Sequence, residues 1–161
     1  MVVRNNGRSV EMKISTKGRY ALRLLYDIEL NQGDGCVSLN DVSERQGISK
    51  KYLEQIVPML TRSGILRASR GNKGGYSLAR KPEDVTVGDV LRATEGSLAP
   101  VSCLEFEQND CPNADKCPTL FIWEGLYSAV QTYLDGISLH DIAERAGKLD
   151  ADEMADNDYC I

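Results

Sequence analysis

Apolar residues recur at helical spacing up to Leu60, and by Ile65 the spacing has become that of a strand. Tyr52, Leu53, Ile56, Val57 and Leu60 fall on one face of a helix that Ser49 can cap and Gly64 can close. Residues 65–69 and 75–79 then read as two short strands. The five residues between them, Arg70-Gly71-Asn72-Lys73-Gly74, mix glycines with cations in a turn. Upstream, Ser38 precedes a short helix carrying Leu39 and Val42, which Gly47 stops. Before that, a longer helix starts at Ser15 or Thr16 and sets Ala21, Leu24, Leu25 and Ile28 on one face, until Gly33-Asp34-Gly35 breaks it near residue 31. Two helices joined by a tight turn, then strand, basic turn and strand, predict a winged helix-turn-helix over residues 12–81. Pro58 breaks a local rule and predicts a kink in its helix.

The second half reads differently. Lys81-Pro82-Glu83-Asp84 is a linker, and Thr86 can cap a helix over residues 87–94, with Asp89 placed to return the cap. Residues 82–102 thus form a connecting helix and loop, and residues 103–117 a cysteine-bearing loop. Pro118 suits the first turn of a long helix to about residue 134. Along it Leu120, Trp123, Tyr127, Val130 and Leu134 recur every three or four residues, a seam suited to a helix of a second subunit. Packing of that stripe within its own chain is the alternative. A short helix is expected after Ser138, then an acidic, disordered tail from Asp150, so residues 136–161 form one closing segment. Residues 1–11 read as a polar, disordered leader. The expected fold class is mainly α with a small β wing: a winged helix-turn-helix plus a long dimerisation helix over residues 118–135.

Charge supports a polyanionic partner once it is divided by position. The net charge is −5, but residues 1–80 hold 14 Lys and Arg against 7 Asp and Glu, while residues 81–161 hold 5 against 17. The basic half would face double-stranded DNA and the acidic half point away. No apolar run is long enough for a membrane span, and the polar N-terminus carries no secretory pattern, so a cytoplasmic location is the expectation.

In such a fold the second helix of the motif enters the major groove with its N-terminal residues against base edges. Those residues are Ser49, Lys50, Lys51, Tyr52, Glu54 and Gln55. Lys50 and Lys51 can meet phosphates, Gln55 can pair with adenine, and Glu54 can accept from cytosine N4. Arg70 and Lys73 sit among glycines, Gly71 included, so the wing backbone can approach a narrow minor groove. Lys17 and Arg19 are candidate phosphate clamps. Each of these cations could instead be a solvated surface charge. A two-fold dimer reading a palindrome, with half-sites about 34–36 Å apart, is the usual arrangement.

Five cysteines are present: Cys36, Cys103, Cys111, Cys117 and Cys160. In a reducing compartment a group of thiols suggests metal or redox chemistry rather than disulfides. Cys103, Cys111 and Cys117 are separated by seven and five residues, without the paired knuckles of structural zinc. Soft thiolates in wide loops suit an iron–sulfur cluster, while zinc or a redox thiol stay open on spacing alone. One histidine, no glycine-rich phosphate loop and no paired acids on a defined scaffold argue against an enzyme. A cluster-bearing electron carrier or interaction module is the competing class.

Several of these strings together resemble the Rrf-family winged-helix repressors. They are Ile14-Ser15-Thr16-Lys17-Gly18-Arg19-Tyr20-Ala21, Ser43-Glu44-Arg45-Gln46-Gly47-Ile48-Ser49, Tyr52-Leu53-Glu54-Gln55, Arg70-Gly71 and Gly74-Gly75-Tyr76. The resemblance runs from about residue 12 to 142 and is nearest to members that regulate iron–sulfur cluster assembly. Other members respond to nitric oxide, iron or cysteine metabolism. It implies a homodimer joined by the long helix, and a cluster on the three cysteines near that helix's start. It also implies DNA contacts at the positions of Tyr52, Glu54, Gln55 and Arg70, with Glu54 tuning operator choice. The chain departs from the enteric-type pattern, which has a fourth-ligand histidine where Leu120 stands here. Relatives that borrow a ligand from the first helix use an acid there, and the corresponding region here is Lys17-Gly18-Arg19. The fourth ligand is therefore open among Glu105, Glu107, Asp110, Asp115, His140, Cys160 and a solvent or small-thiol donor. The resemblance puts 2Fe–2S ahead of 4Fe–4S. His140 reads as a surface histidine, Cys160 as a tail thiol and Cys36 as a small core residue.

Overall fold

Ser15 starts the first helix by accepting from the N–H groups of Lys17 and Gly18, and this helix, α1 (Thr16–Gln32), becomes the axis of the core. In the computed structural model, residues 14–71, 74–106, 109 and 111–157 are described, with side chains as far as residue 148. Ala21, Leu24, Leu25 and Ile28 are fully buried on one face of α1. Against them pack α2 (Leu39–Gln46) and α3 (Lys50–Arg62), the latter through Leu53, Ile56, Val57 and Leu60. Ser38 and Ser49 cap these helices, and Gly47 turns between them at φ 62°, in the left-handed region that an L side chain avoids. Pro58 does not end α3, which is helical throughout. The proline is exposed, so the backbone hydrogen bond it cannot make falls on the solvent side.

The wing is an antiparallel pair, β1 (Leu66–Ser69) and β2 (Gly75–Leu78), with Leu66 opposite Leu78 and Ser69 opposite Gly75. Val37 adds a bridge to Tyr76, exchanging two backbone hydrogen bonds of 2.9 Å. A Cβ on Gly75 would stand 2.5 Å from the Val37 carbonyl oxygen, so this close approach requires glycine. The bridge also corrects the reading of Cys36. Val37 faces the core, so its neighbour turns the other way and Cys36 is only half-buried, beside the wing's outer face.

The helix α4 (Val87–Glu95) begins with a reciprocal cap between Thr86 and Asp89. Single 3-10 turns at Ser102–Leu104 and Ala114–Lys116 interrupt the loop that follows. Then α5 (Leu120–Asp135) starts two residues beyond Pro118, which lies before the helix rather than in its first turn. The stripe expected to meet a second subunit is half-buried throughout. Its Tyr127 and Leu134 pack on Val87, Leu91 and Leu98 of their own chain. The outward side carries Phe121 and Tyr133, each 70% exposed, with Ile122 and Leu126. Finally α6 (Leu139–Asn157) continues past residue 150, where acidic composition predicted disorder. A reciprocal Ser138–Asp141 cap and the buried Leu139 and Ala143 nucleate it, and extending a nucleated helix costs little. Residues 1–13 and 158–161, Cys160 among the latter, lie outside the described residues.

Where α6 crosses α1, His140 Nδ1 meets Glu29 Oε1 at 3.2 Å, while Glu29 Oε2 is buried without a hydrogen-bond partner among the described residues. Hydrogen bonding to Glu29 holds the His140 pKa above its ordinary value. Burial pushes Glu29 up despite that bond. For His140 the stabilising contribution is complete below its ordinary value and lost as pH rises through the raised one. For Glu29, ionisation is disfavoured by the fold, which also lowers stability as pH rises. Thermal midpoints measured from about pH 6 to 8 should therefore fall more steeply for the native protein than for His140→Gln. Parallel curves would show that the pair does not couple to folding.

Candidate DNA interface and cysteine segment

Ser49 caps α3 through a 3.3 Å bond from the Tyr52 N–H, which brings Lys50, Lys51, Glu54 and Gln55 to the surface together at the start of the helix. Tyr52 is held differently. Its ring stands edge-on to Tyr20 of α1, centroids 5.4 Å apart, and the Arg23 guanidinium lies 5.8 Å from the Tyr20 ring centroid. Arg23 also donates to the Gln46 carbonyl at 2.6 Å and to Gln46 Oε1 at 3.2 Å, which Tyr26 joins at 3.0 Å. The amide of Gln46 donates at 2.9 Å to Asp27, which is 2% exposed and receives Nε and Nη2 of Arg45, the latter at 2.6 Å. One polar network thus ties α1 to the turn before α3.

Sequence reasoning missed Asp27 and Arg23. The available signal was an acid in the apolar phase of α1, between Leu24 and Ile28.

Arg70 and Gly71 are exposed at the wing tip, Gly71 at φ 120°, and Lys73 lies outside the described residues. Arg19 is exposed and donates to Thr16 Oγ1 at 3.0 Å, while Lys17 is half-buried. The described basic residues named from the sequence thus fall at three places: Lys17 and Arg19 at the start of α1, Lys50 and Lys51 at the start of α3, and Arg70 on the wing.

Cys103, Cys111 and Cys117 are half-buried free thiols on the loop between α4 and α5. Cys111 N–H donates to Asn109 Oδ1 at 3.0 Å, and the Cys111 carbonyl accepts from Ala114. The Cys117 sulfur lies 3.5 Å from Thr119 Oγ1, just ahead of α5, and hydrogen bonding from Thr119 lowers its pKa. Among the described residues no three His, Cys, Asp or Glu side chains converge on a metal position. The donor chemistry nevertheless fits a sulfur-rich cofactor: three free thiols share one loop built of turns. Of the other candidate ligands, Glu105 and Asp115 are exposed, and His140 is bonded to Glu29. Glu107, Asp110 and Cys160 lie outside the described residues.

Three helices packed on one core, the third capped and presenting polar residues at its start, and a basic two-stranded wing define a winged helix-turn-helix DNA-binding protein. The chain belongs to the Rrf2 family: the family model described as "Iron-dependent Transcriptional regulator" matches residues 14–145. It is similar to the HTH-type transcriptional regulator IscR of Aliivibrio salmonicida, with 40% identity over 81% of this chain and 77% of that protein. It is also similar to Protein rrf2 of Nitratidesulfovibrio vulgaris, with 41% identity over 84% and 89%. Among solved structures, CymR, the global cysteine regulator of B. subtilis, matches with TM-score 0.67 and 34% identity, over 83% of this chain and 97% of that one. The IscR of T. potens matches with TM-score 0.64 and 36% identity, over 83% and 88%. The protein is therefore an IscR-like, DNA-binding transcriptional regulator, a non-enzymatic role. No helix among the described residues is long and apolar enough to cross a membrane.

Proposed function

We propose that this regulator senses an iron–sulfur cluster held by Cys103, Cys111 and Cys117, and that as a homodimer it represses cluster-assembly genes from a palindromic operator. The observation that carries the reading is the placement of three free thiols on the one loop that links α4, packed on the DNA-binding core, to α5. When bound, the cluster supplies a redox-active and loss-prone group whose occupancy can be coupled to loop shape. A 2Fe–2S cluster is favoured over 4Fe–4S. The outward side of α5, with Phe121, Ile122, Leu126 and Tyr133, is the surface for the second subunit.

In this reading Tyr52, Glu54 and Gln55 face base edges, while Ser49, Lys50 and Lys51 hold the adjoining backbone. Arg70, Gly71 and Lys73 approach the minor groove, and Lys17 and Arg19 clamp phosphates. Anaerobically purified protein should contain iron and acid-labile sulfide, and cluster-loaded and cluster-free forms should protect an operator differently. Colourless protein with stoichiometric zinc would sink the cluster. Arg70→Ala should weaken operator binding by about 1–3 kcal/mol if that residue reads a base or groove. Binding that ignores salt would instead support an electron carrier or protein-binding module, since phosphate contacts make affinity fall steeply with ionic strength. The same free thiols, half-buried on one loop, favour one further reading, a thiol-based redox signal. Operator binding that responds to oxidant in cluster-free protein would select it.

A further inference from the structure

Glu95 is the last residue of α4, and its carboxylate reaches the first turn of α1. Oε1 accepts from Ser15 Oγ at 2.7 Å and from the Gly18 N–H at 3.1 Å. Ser15 Oγ in turn accepts from the N–H groups of Lys17 and Gly18, so Glu95 completes the cap and sets a negative charge at the positive end of the helix dipole. The fit is close. A Cβ on Gly18 would stand 2.5 Å from Glu95 Oε1 and 2.9 Å from Leu91 Cδ2. Glycine at position 18 is therefore explained by the carboxylate, since the backbone there is ordinary helix. Lys17 and Arg19 flank Gly18, so the turn that Glu95 grips also carries both cations. On its other side Gly96 turns the chain at φ 86°, Leu98 and Ala99 are buried, and Cys103 follows eight positions after Glu95.

We infer that Glu95 is a positioning residue for DNA binding. It holds the first turn of α1 so that Lys17 and Arg19 meet phosphates, and it joins that turn to the segment leading into the cysteines. The inference rests on the phosphate-clamp reading of Lys17 and Arg19 given above. A carboxylate that only stabilised the fold would change melting temperature but not the number of phosphates contacted.

The test uses the cluster-loaded dimer and an operator fragment, with affinity measured across a salt series. Glu95→Ala should weaken binding by roughly tenfold and flatten the log–log salt dependence by about one to two contacts. The double substitution Lys17→Ala/Arg19→Ala should do the same in the native background and add little on top of Glu95→Ala. Glu95→Gln, which keeps an acceptor oxygen, should restore most of the affinity and slope. Ser15→Ala removes the other half of the link and should flatten the slope too, which keeps the test open if Glu95→Ala folds poorly. Cluster absorbance should stay unchanged in all four variants. A native slope in both Glu95→Ala and Ser15→Ala would overturn the inference, as would additive losses from the cation pair. If the cation pair has no effect even in the native background, the phosphate-clamp reading fails and takes the inference with it.

Discussion

On the proposed cluster reading, Cys111→Ala should yield a folded, colourless protein. Cys111 sits half-buried in the turn-built loop between α4 and α5, and it contributes nothing to the cluster of buried residues centred on α1. Replacing it removes a small, partly exposed side chain, a change that usually costs less than about 1 kcal/mol. A cluster held as proposed would have far more at stake. With a histidine absent at Leu120, the loop offers only three sulfur donors, and losing the middle one leaves two thiols separated by the whole segment. Expected results are loss of visible absorbance and of acid-labile sulfide, with unchanged far-ultraviolet circular dichroism and elution volume. Operator binding by this variant should match cluster-free native protein. Full colour at native stoichiometry would remove Cys111 from the ligand set.

Arg45→Ala should be strongly destabilising although the side chain is partly exposed. Asp27 is 2% exposed and receives two guanidinium nitrogens from Arg45 besides the Gln46 amide. The carboxylate's hydrogen bonds in turn hold the Arg45 pKa above its ordinary value. Removing one partner of a buried pair strands the other and costs about 3–5 kcal/mol. Here the Arg45 side chain is 38% exposed, so water can enter in its place. The loss should therefore be nearer about 2–3 kcal/mol, a fall in Tm of roughly 4–12 °C for a chain of this size. Pairing Arg45→Met with Asp27→Leu should recover much of it, because no charge is then left buried. A loss below about 0.5 kcal/mol for Arg45→Ala would mean that Asp27 is solvated in solution.

These two residues mark how unevenly the chain could be read. The helices of the DNA-binding unit were legible because their signals are local: Ser15, Ser38 and Ser49 cap, Gly47 and Gly64 stop, and apolar spacing changes at Ile65. The Thr86–Asp89 cap was legible for the same reason, since both its hydrogen bonds close within four residues. The long-helix stripe was read only halfway. A three- and four-residue repeat says that a face is covered but not by what, and Tyr127 and Leu134 are covered by α4. The acidic composition of the last segment hid a helix whose nucleus lies at Ser138–Asp141, outside the acidic stretch.

The winged helix-turn-helix, the basic start of α3 and the grouping of three thiols on one loop were determined by the sequence itself, through caps, periodicity and residue type at short range. Only the tertiary structure decided that Asp27 anchors the turn before α3, that Val37 joins the wing, that Glu95 grips the start of α1, and which side of α5 faces outward. Each of those depends on groups far apart in the chain meeting in a packed interior. There the cost of an unpaired polar atom or a misplaced Cβ selects one partner among many that the sequence leaves open.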